Sequence, residues 1–397
     1  MPTLPATPVA DPGSPALVAI PVRFAAVPRA AWDRLFRASP AATPFSAWTF
    51  HRAWWDAYGE TAHDEVLVCV PADRATAPLA DPDAIAGIVP LMHRHVAEPQ
   101  DAATATALRR RHAAGSDLRP EAKAIFMGAS YHADYATILA APADLPAVAA
   151  ALVAVLAGPP DPDHGGAAWD VVDLRRWKTG DPAADVVEAA FRAAAPIHGW
   201  EVRREQEDVC PVATLPAGGG WDDYLATLGK HARHEIRRKI RRAEAAGPVG
   251  FTLAPLDAAS VERFIDLHQA RWGADGLFPE TEGGARSRRF LHRLTELEAA
   301  EGEAARFQLG LVHVGEQLIF ASAGFSDGET CYFYNAGMDP AARDLSPGVT
   351  GAAAYLRDRM AAGCTRFDFL RGDEPYKYEW GAVDEPVDRI LILRADA

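Results

Sequence analysis

The chain has 397 residues, 49% of them hydrophobic and 24% charged, which is enough apolar material for two or three packed units and excludes a disordered chain. A net charge of −14 argues against general nucleic-acid binding, because such proteins carry an excess of Lys and Arg to neutralise phosphates. Any anion site must therefore be local. Cys69, Cys210, Cys331 and Cys364 form no C-x-x-C pair, so the usual zinc and dithiol spacings are missing and no metal site is expected. A reducing compartment is the simplest setting for four such cysteines.

The first 15 residues carry proline at positions 2, 5, 8, 12 and 15, with neither a basic start nor an apolar run. They read as a flexible tail rather than a signal peptide. The alternation of residues then predicts helices over Ala31 to Arg37 and Ser46 to Tyr58, and strands over Glu65 to Val70, Ala84 to His93, Ala124 to Gly128 and Tyr135 to Leu139. Ala147 to Ala157 is the longest apolar stretch, well short of the ~20 residues a membrane-spanning helix needs, and reads as a buried Ala-rich helix. A strand is expected at Val171 to Leu174. No membrane insertion is expected, and a cytoplasmic location follows.

In the second half, helices are predicted at Trp221 to Leu228, Lys230 to Ala246, Ala259 to Trp272 and Ser287 to Ala299. Residues 306–335 read as three strands joined at Val314-Gly315-Glu316 and Asp327-Gly328, both hairpin signals. A helix over Pro347 to Ala362 and a strand over Arg366 to Leu370 follow. A strand meander, a helix and a strand thus occur in both halves. The expected fold class is α+β, in two domains over residues 16–204 and 205–397, each a mostly antiparallel sheet flanked by helices.

Four segments carry candidate chemistry. In Arg343-Asp-Leu-Ser346-Pro347-Gly348-Val349-Thr350, Ser346 suits an N-cap and Pro347 the first helical position. The N–H groups of Gly348, Val349 and Thr350 would then face outward at the positive end of the helix, either as an anion site or simply as a well-capped start. Next, the strand end Arg366 to Leu370 sets Asp368 opposite Phe367 and Phe369, and is followed by Arg371, Glu374, Tyr376, Lys377 and Trp380. Lys377 is one of only five lysines in the chain. Lys230 to Arg242 forms a basic helix with a thin apolar stripe, on which Arg237 and Arg241 lie in a local positive field; it lacks the large anchors of a membrane-surface helix. Lastly, His268 and Trp272 share one face of a helix with Phe264.

FIDLHQARWG (264–273), YNAGMDP (334–340), LSPG (345–348), FDFLRGDEPYKYEWG (367–381) and the basic stretch 230–247 together resemble the GNAT acyltransferases of the CelD-like branch, relatives of the Fem aminoacyl transferases. The resemblance covers about 205–390; segments 43–59, 87–94 and 127–139 extend it loosely into the first half and support two tandem GNAT-like domains. It implies an acetyl-CoA or other acyl-CoA co-substrate, no metal, and a pyrophosphate held by Arg343, Ser346, Gly348, Val349 and Thr350. At Ser346 the family pattern has glycine. The resemblance also implies an N-acyltransferase acting on an amine of a small molecule or of a polysaccharide or cell-envelope precursor. In that reading Asp368 or Glu374 serves the amine, Lys377 with Tyr376 serves the reacting carbonyl, and Arg237, Arg241, His268, Trp272, Arg371 and Trp380 contact the acceptor. The alternatives are a Fem-like aminoacyl transferase, which would need tRNA, and a GNAT-fold binding module without turnover. DNA is not an expected partner.

Overall fold

The structure, a computed structural model, describes residues 16–95, 122–159 and 169–394. The expected tail over 1–15 lies outside them, as does most of the loop 96–122. The chain divides into two compact units: one comprises the described residues up to His51, those of Gly59–Asp208 and those from Pro386 on, and the other comprises Arg52–Tyr58 and Val209–Glu385.

The first unit contains β1 (Leu17–Val22), α1 (Arg29–Ala38), the start of α2 (Trp48–Tyr58), β2 (His63–Asp64), β3 (Val66–Pro71), β4 (Gly87–Val89), β5 (Leu91–Arg94), β6 (Ala124–Met127), β7 (Leu139–Ala140), α3 (Leu145–Ala157), β8 (Val171–Lys178) and α4 (Pro182–His198). Strands β1, β3, β4 and β7 form one antiparallel sheet, while β8, β6, β5 and β2 lie side by side in another, with β6 and β8 the parallel pair. The single strand expected over Ala84 to His93 is two strands in different sheets, because Pro90 between them cannot donate to a ladder. Of the strand expected over Tyr135 to Leu139, only its end forms, as β7. Helix α3 is apolar on nearly every face and buried, as expected, and it lies so close to β4 that a Cβ at Gly87 would sit 2.5 Å from Val148 Cγ2.

Both α4 and β9 (Trp200–Thr214) escaped the sequence reading. The charged run at the start of β9 resembles a loop, yet Arg204 is tied to Asp185, Glu188 and Asp388. Inside this unit Arg175 bonds Asp173 at 2.6 Å and Arg389 reaches Asp173 at 3.2 Å, all at most 2% exposed.

The second unit is built on one sheet, in the order β10 (Val249–Leu253), β11 (Phe307–Val314), β12 (Gln317–Ser326), β13 (Thr330–Met338), β14 (Arg366–Asp368) and the end of β9. Every neighbouring pair is antiparallel except β13 with β14. Its helices are α5 (Trp221–Thr227), α6 (Lys230–Ala246), α7 (Ala258–Trp272), α8 (Glu282–Ala300), α9 (Pro347–Ala361) and the short α10 (Pro375–Glu379). The meander turns where the sequence places them, with Gly315 at φ 58° and Gly328 at φ 97° in the left-handed region that glycine enters freely. β10, α10 and β15 (Val383–Arg394) were not anticipated.

Small residues let helices approach both faces of this sheet. A Cβ at Gly351 of α9 would fall 2.2 Å from the Phe320 ring, and one at Gly337 of β13 would fall 2.4 Å from the backbone nitrogen of His268 on α7. α9 and α7 thus clamp the central strands from opposite sides. The fold is α+β, with mostly antiparallel sheets flanked by helices in both units, as the sequence predicts.

Candidate active site

Two features of β13 open the sheet. Its pairing with β14 covers only Thr330–Tyr332 against Arg366–Asp368, after which β13 runs on to Met338 without β14. In the same region Ala323 pairs with Asn335 but Phe325 with Tyr332, so Phe333 and Tyr334 together oppose Gly324. This is a β-bulge, which leaves a residue out of the ladder and reverses which face the following side chains take. Phe333 packs on Tyr355 of α9; beyond the bulge Ala336 and Met338 pack in the core on the α9 side, while Gly337 meets α7. The sequence reading missed this bulge. Its one local sign is Gly324 opposite, where a Cβ would sit 2.6 Å from the Tyr355 hydroxyl.

The N-terminus of α9 lies at the end of this opened strand, since the Gly348 Cβ position is 2.9 Å from Met338 Cε. Ser346 is the N-cap residue, but not by the expected route: it adopts φ 51°, ψ 57° and its side chain makes no cap hydrogen bond. A glycine occupies that left-handed conformation at little cost, which accounts for glycine in the family pattern there. The Ser346 carbonyl accepts from Val349 N–H at 3.0 Å and Thr350 N–H at 2.9 Å. The expectation of three free N–H groups is therefore corrected. Val349 and Thr350 spend theirs within the first turn, Thr350 is buried with its hydroxyl bonded to Leu345 O at 2.7 Å, and among the described residues no partner takes the Gly348 N–H. Arg343 is exposed beside this mouth, and Arg242 of the basic helix α6 donates to the Ser346 hydroxyl. Arg242 is the residue that brings the basic helix to the α9 mouth, a role with no local signal because the partners are 104 positions apart.

The turn after β14 is organised from within. Lys377 is 3% exposed, and its ammonium donates to the carbonyls of Leu370 and Arg371 at 2.9 Å and of Gly372 at 3.0 Å, with Glu374 Oε2 also at 2.9 Å. An ammonium has three protons to donate, and here all are committed. Asp368 is 0% exposed and accepts from the Leu370 N–H at 2.8 Å. Leu370 itself sits at φ 58°, the left-handed region where a branched apolar residue is strained. Lys377 and Asp368, read from sequence as catalytic, are thus corrected to buried braces of a strained corner. The expected acceptor contact Trp380 is likewise corrected: it is 3% exposed in the apolar core, with its carbonyl accepting from the Tyr224 hydroxyl at 2.6 Å.

Glu374 and Tyr376 remain at the surface, Tyr376 43% exposed and edge-on to Phe369. Burial of its inner part pushes the Tyr376 phenol up to about 12, with Glu374 adding to the rise and Arg271 opposing it. Burial lowers the Arg271 guanidinium while Tyr376 and Glu374 pull it the other way, so the end of α7 shares a neighbourhood with the start of α10. Arg271 stacks on the exposed Trp272 ring at 4.4 Å. Arg371 is half-buried in the turn.

His268 is 2% exposed, packed against Phe264 and Phe278, and bonded to Gln269 and to Asn335 of β13. Burial drives it down to about 4, so it is a neutral wall residue rather than the open acceptor contact expected. Phe278 also lines a cleft of about 900 Å³ at the head of α8, together with Glu280, Thr281, Arg288, Arg289 and His292. Arg237 and Arg241 lie exposed on α6, Arg237 paired with Asp222 at 2.8 Å.

A sheet parted beside a helix N-terminus, with Arg242 and Arg343 at the mouth, is an arrangement that suits an anionic ligand. Residues 230–378 match the family described as acetyltransferase (GNAT) domain. Among solved structures, FemX is 11% identical at a TM-score of 0.56, covering 91% of this chain and 96% of its own. A conserved protein of unknown function from Bacteroides thetaiotaomicron VPI-5482 is 14% identical at a TM-score of 0.53, covering 93% of this chain and 98% of its own. Both share its fold. No curated protein matches it in sequence.

Proposed function

We propose that the second unit transfers an acyl group, most simply acetyl from acetyl-CoA, to an amine of a small molecule or of a polysaccharide or cell-envelope precursor, and does so in the cytoplasm. The observation that carries this reading is the parting of β13 from β14 beside the α9 N-terminus, where the Gly348 N–H, Arg242 and Arg343 gather. A pyrophosphate fits such a mouth, because a free N–H and the positive end of the helix both favour an anion. The thioester would lie along the opened edge of β13.

The chemistry asks little beyond placement. The amine nitrogen attacks the thioester carbon, the C–N bond forms as the C–S bond breaks, and the leaving thiol has a pKa of about 8.5. In this reading Glu374 takes the proton the amine gives up, and Tyr376, a neutral phenol at physiological pH, donates to the departing sulfur. Lys377 and Asp368 hold the turn that presents them, while Arg271 and Trp272 border the acceptor. The mixed charge of the cleft by Phe278 suits a polar acceptor. Release of free thiol from acetyl-CoA across a panel of amino sugars and other amines tests the reading. Glu374→Gln and Tyr376→Phe should each cut turnover ~10²-fold or more while leaving the fold intact. Donor binding without thiol release on any amine would instead make the protein a binding module.

A second reading, transfer from aminoacyl-tRNA, is favoured by one observation: Arg237, Arg238, Arg241 and Arg242 are all exposed on α6. It requires tRNA binding that weakens steeply with salt and disappears when these four are neutralised.

A further inference from the structure

Three histidines outside the acyl-transfer site meet at the sheet edge of the first unit. His63 of β2 is the direct cross-strand partner of His93 of β5, and His95 follows two residues later, in the bend just past the end of β5. The His63 and His93 rings stack at 4.3 Å, and the His95 ring stands nearly perpendicular to both, at 5.4 and 5.3 Å. One ring nitrogen from each lies within 4.8 Å of the others. Three nitrogens around a tetrahedral zinc at 2.0–2.1 Å stand roughly 3.3 Å apart. Small ring rotations close that difference, and His63 and His95 are exposed and have room to make them.

A second observation singles out this trio. Glu65, 8% exposed, places Oε1 2.5 Å from His93 Nδ1. That contact turns Nδ1 of His93 to the carboxylate, the carboxylate–histidine arrangement that orients imidazoles toward a metal. Lys123 Nζ lies 4.0 Å from the same Glu65 oxygen, so the carboxylate also faces a cation beside the site.

We propose that His63, His93 and His95 bind one Zn²⁺ ion, with Glu65 orienting His93 and the fourth position open to water or an external ligand. Three imidazoles suit zinc, and the later transition metals generally, over Mg²⁺ or Ca²⁺, which take oxygen ligands. The ion would pin the two-residue strand β2 to β5 at the sheet edge. In sequence, the only trace of the site is His-x-His at 93–95; the third ligand is 30 positions away and the spacing fits no common zinc motif.

The test uses the full chain without a histidine tag, stripped with chelator and titrated calorimetrically with Zn²⁺ at pH 7.5. The expected result is one ion per chain with a Kd at or below micromolar, and visible d–d bands of a tetrahedral site when Co²⁺ replaces zinc. The double variant His63→Ala/His95→Ala changes exposed positions only; it should melt like the metal-free parent and bind at least 100-fold more weakly. Glu65→Gln should weaken binding 10–100-fold with the ligands intact. Failure of the parent to bind one ion, or equally tight binding by the double variant, overturns the assignment.

Discussion

Two corners of the second unit make the same unusual backbone choice and use it in opposite ways. Ser346 before α9 and Leu370 after β14 both adopt the left-handed conformation without being glycine, at φ 51° and 58°. Around Leu370 everything is committed: Asp368 holds its N–H, and Lys377 collects the carbonyls of 370, 371 and 372. Around Ser346 much is open, with a free Gly348 N–H, an exposed Arg343, and Arg242 on the serine hydroxyl as the side-chain contact. A strained corner that has spent its donors can only hold a shape. One that keeps them can hold a ligand. This difference gives Lys377 and Asp368 a bracing role and leaves the α9 mouth as the proposed donor site.

The largest effect should come from breaking the closed corner. Lys377→Met fills a similar volume but leaves the carbonyls it served without a donor, and buried unsatisfied groups cost about 1–3 kcal/mol each. Urea unfolding should show a loss of about 3 kcal/mol or more by that reasoning. Unchanged stability with abolished turnover would return Lys377 to catalysis. The smallest effect belongs to the open corner: Ser346→Gly relieves a left-handed residue worth about 1–2 kcal/mol and should raise stability by about 1 kcal/mol, with donor affinity retained. A loss of stability would show that the Arg242–Ser346 contact matters more than the strain.

The same corners show what a sequence discloses and what it withholds. The meander of β11, β12 and β13 was legible because hydrophobic alternation and the glycine turns are local, and LSPG marked the start of α9 for the same reason. Charge in a segment is also legible, but burial is not. The segment 371–380 shows a cluster of titratable groups, and nothing in it says that Lys377 folds back on its own backbone or that Trp380 enters the core. Strand β9 was hidden in a charged run whose partners Asp185, Glu188 and Asp388 are 16 to 184 positions distant. The bulge at Phe333–Tyr334 is a property of register between two strands, which neither strand states alone.

Calorimetric titration of the parent protein and of Gly348→Glu with acetyl-CoA and CoA tests the open mouth most directly. The side chain added at Gly348 meets only the flexible end of Met338, so the variant should fold, while its carboxylate blocks and repels a pyrophosphate. Micromolar binding by the parent, weakened at least 100-fold in the variant, is the predicted result. Binding of equal strength in both, or no binding by well-folded parent protein, would contradict the account.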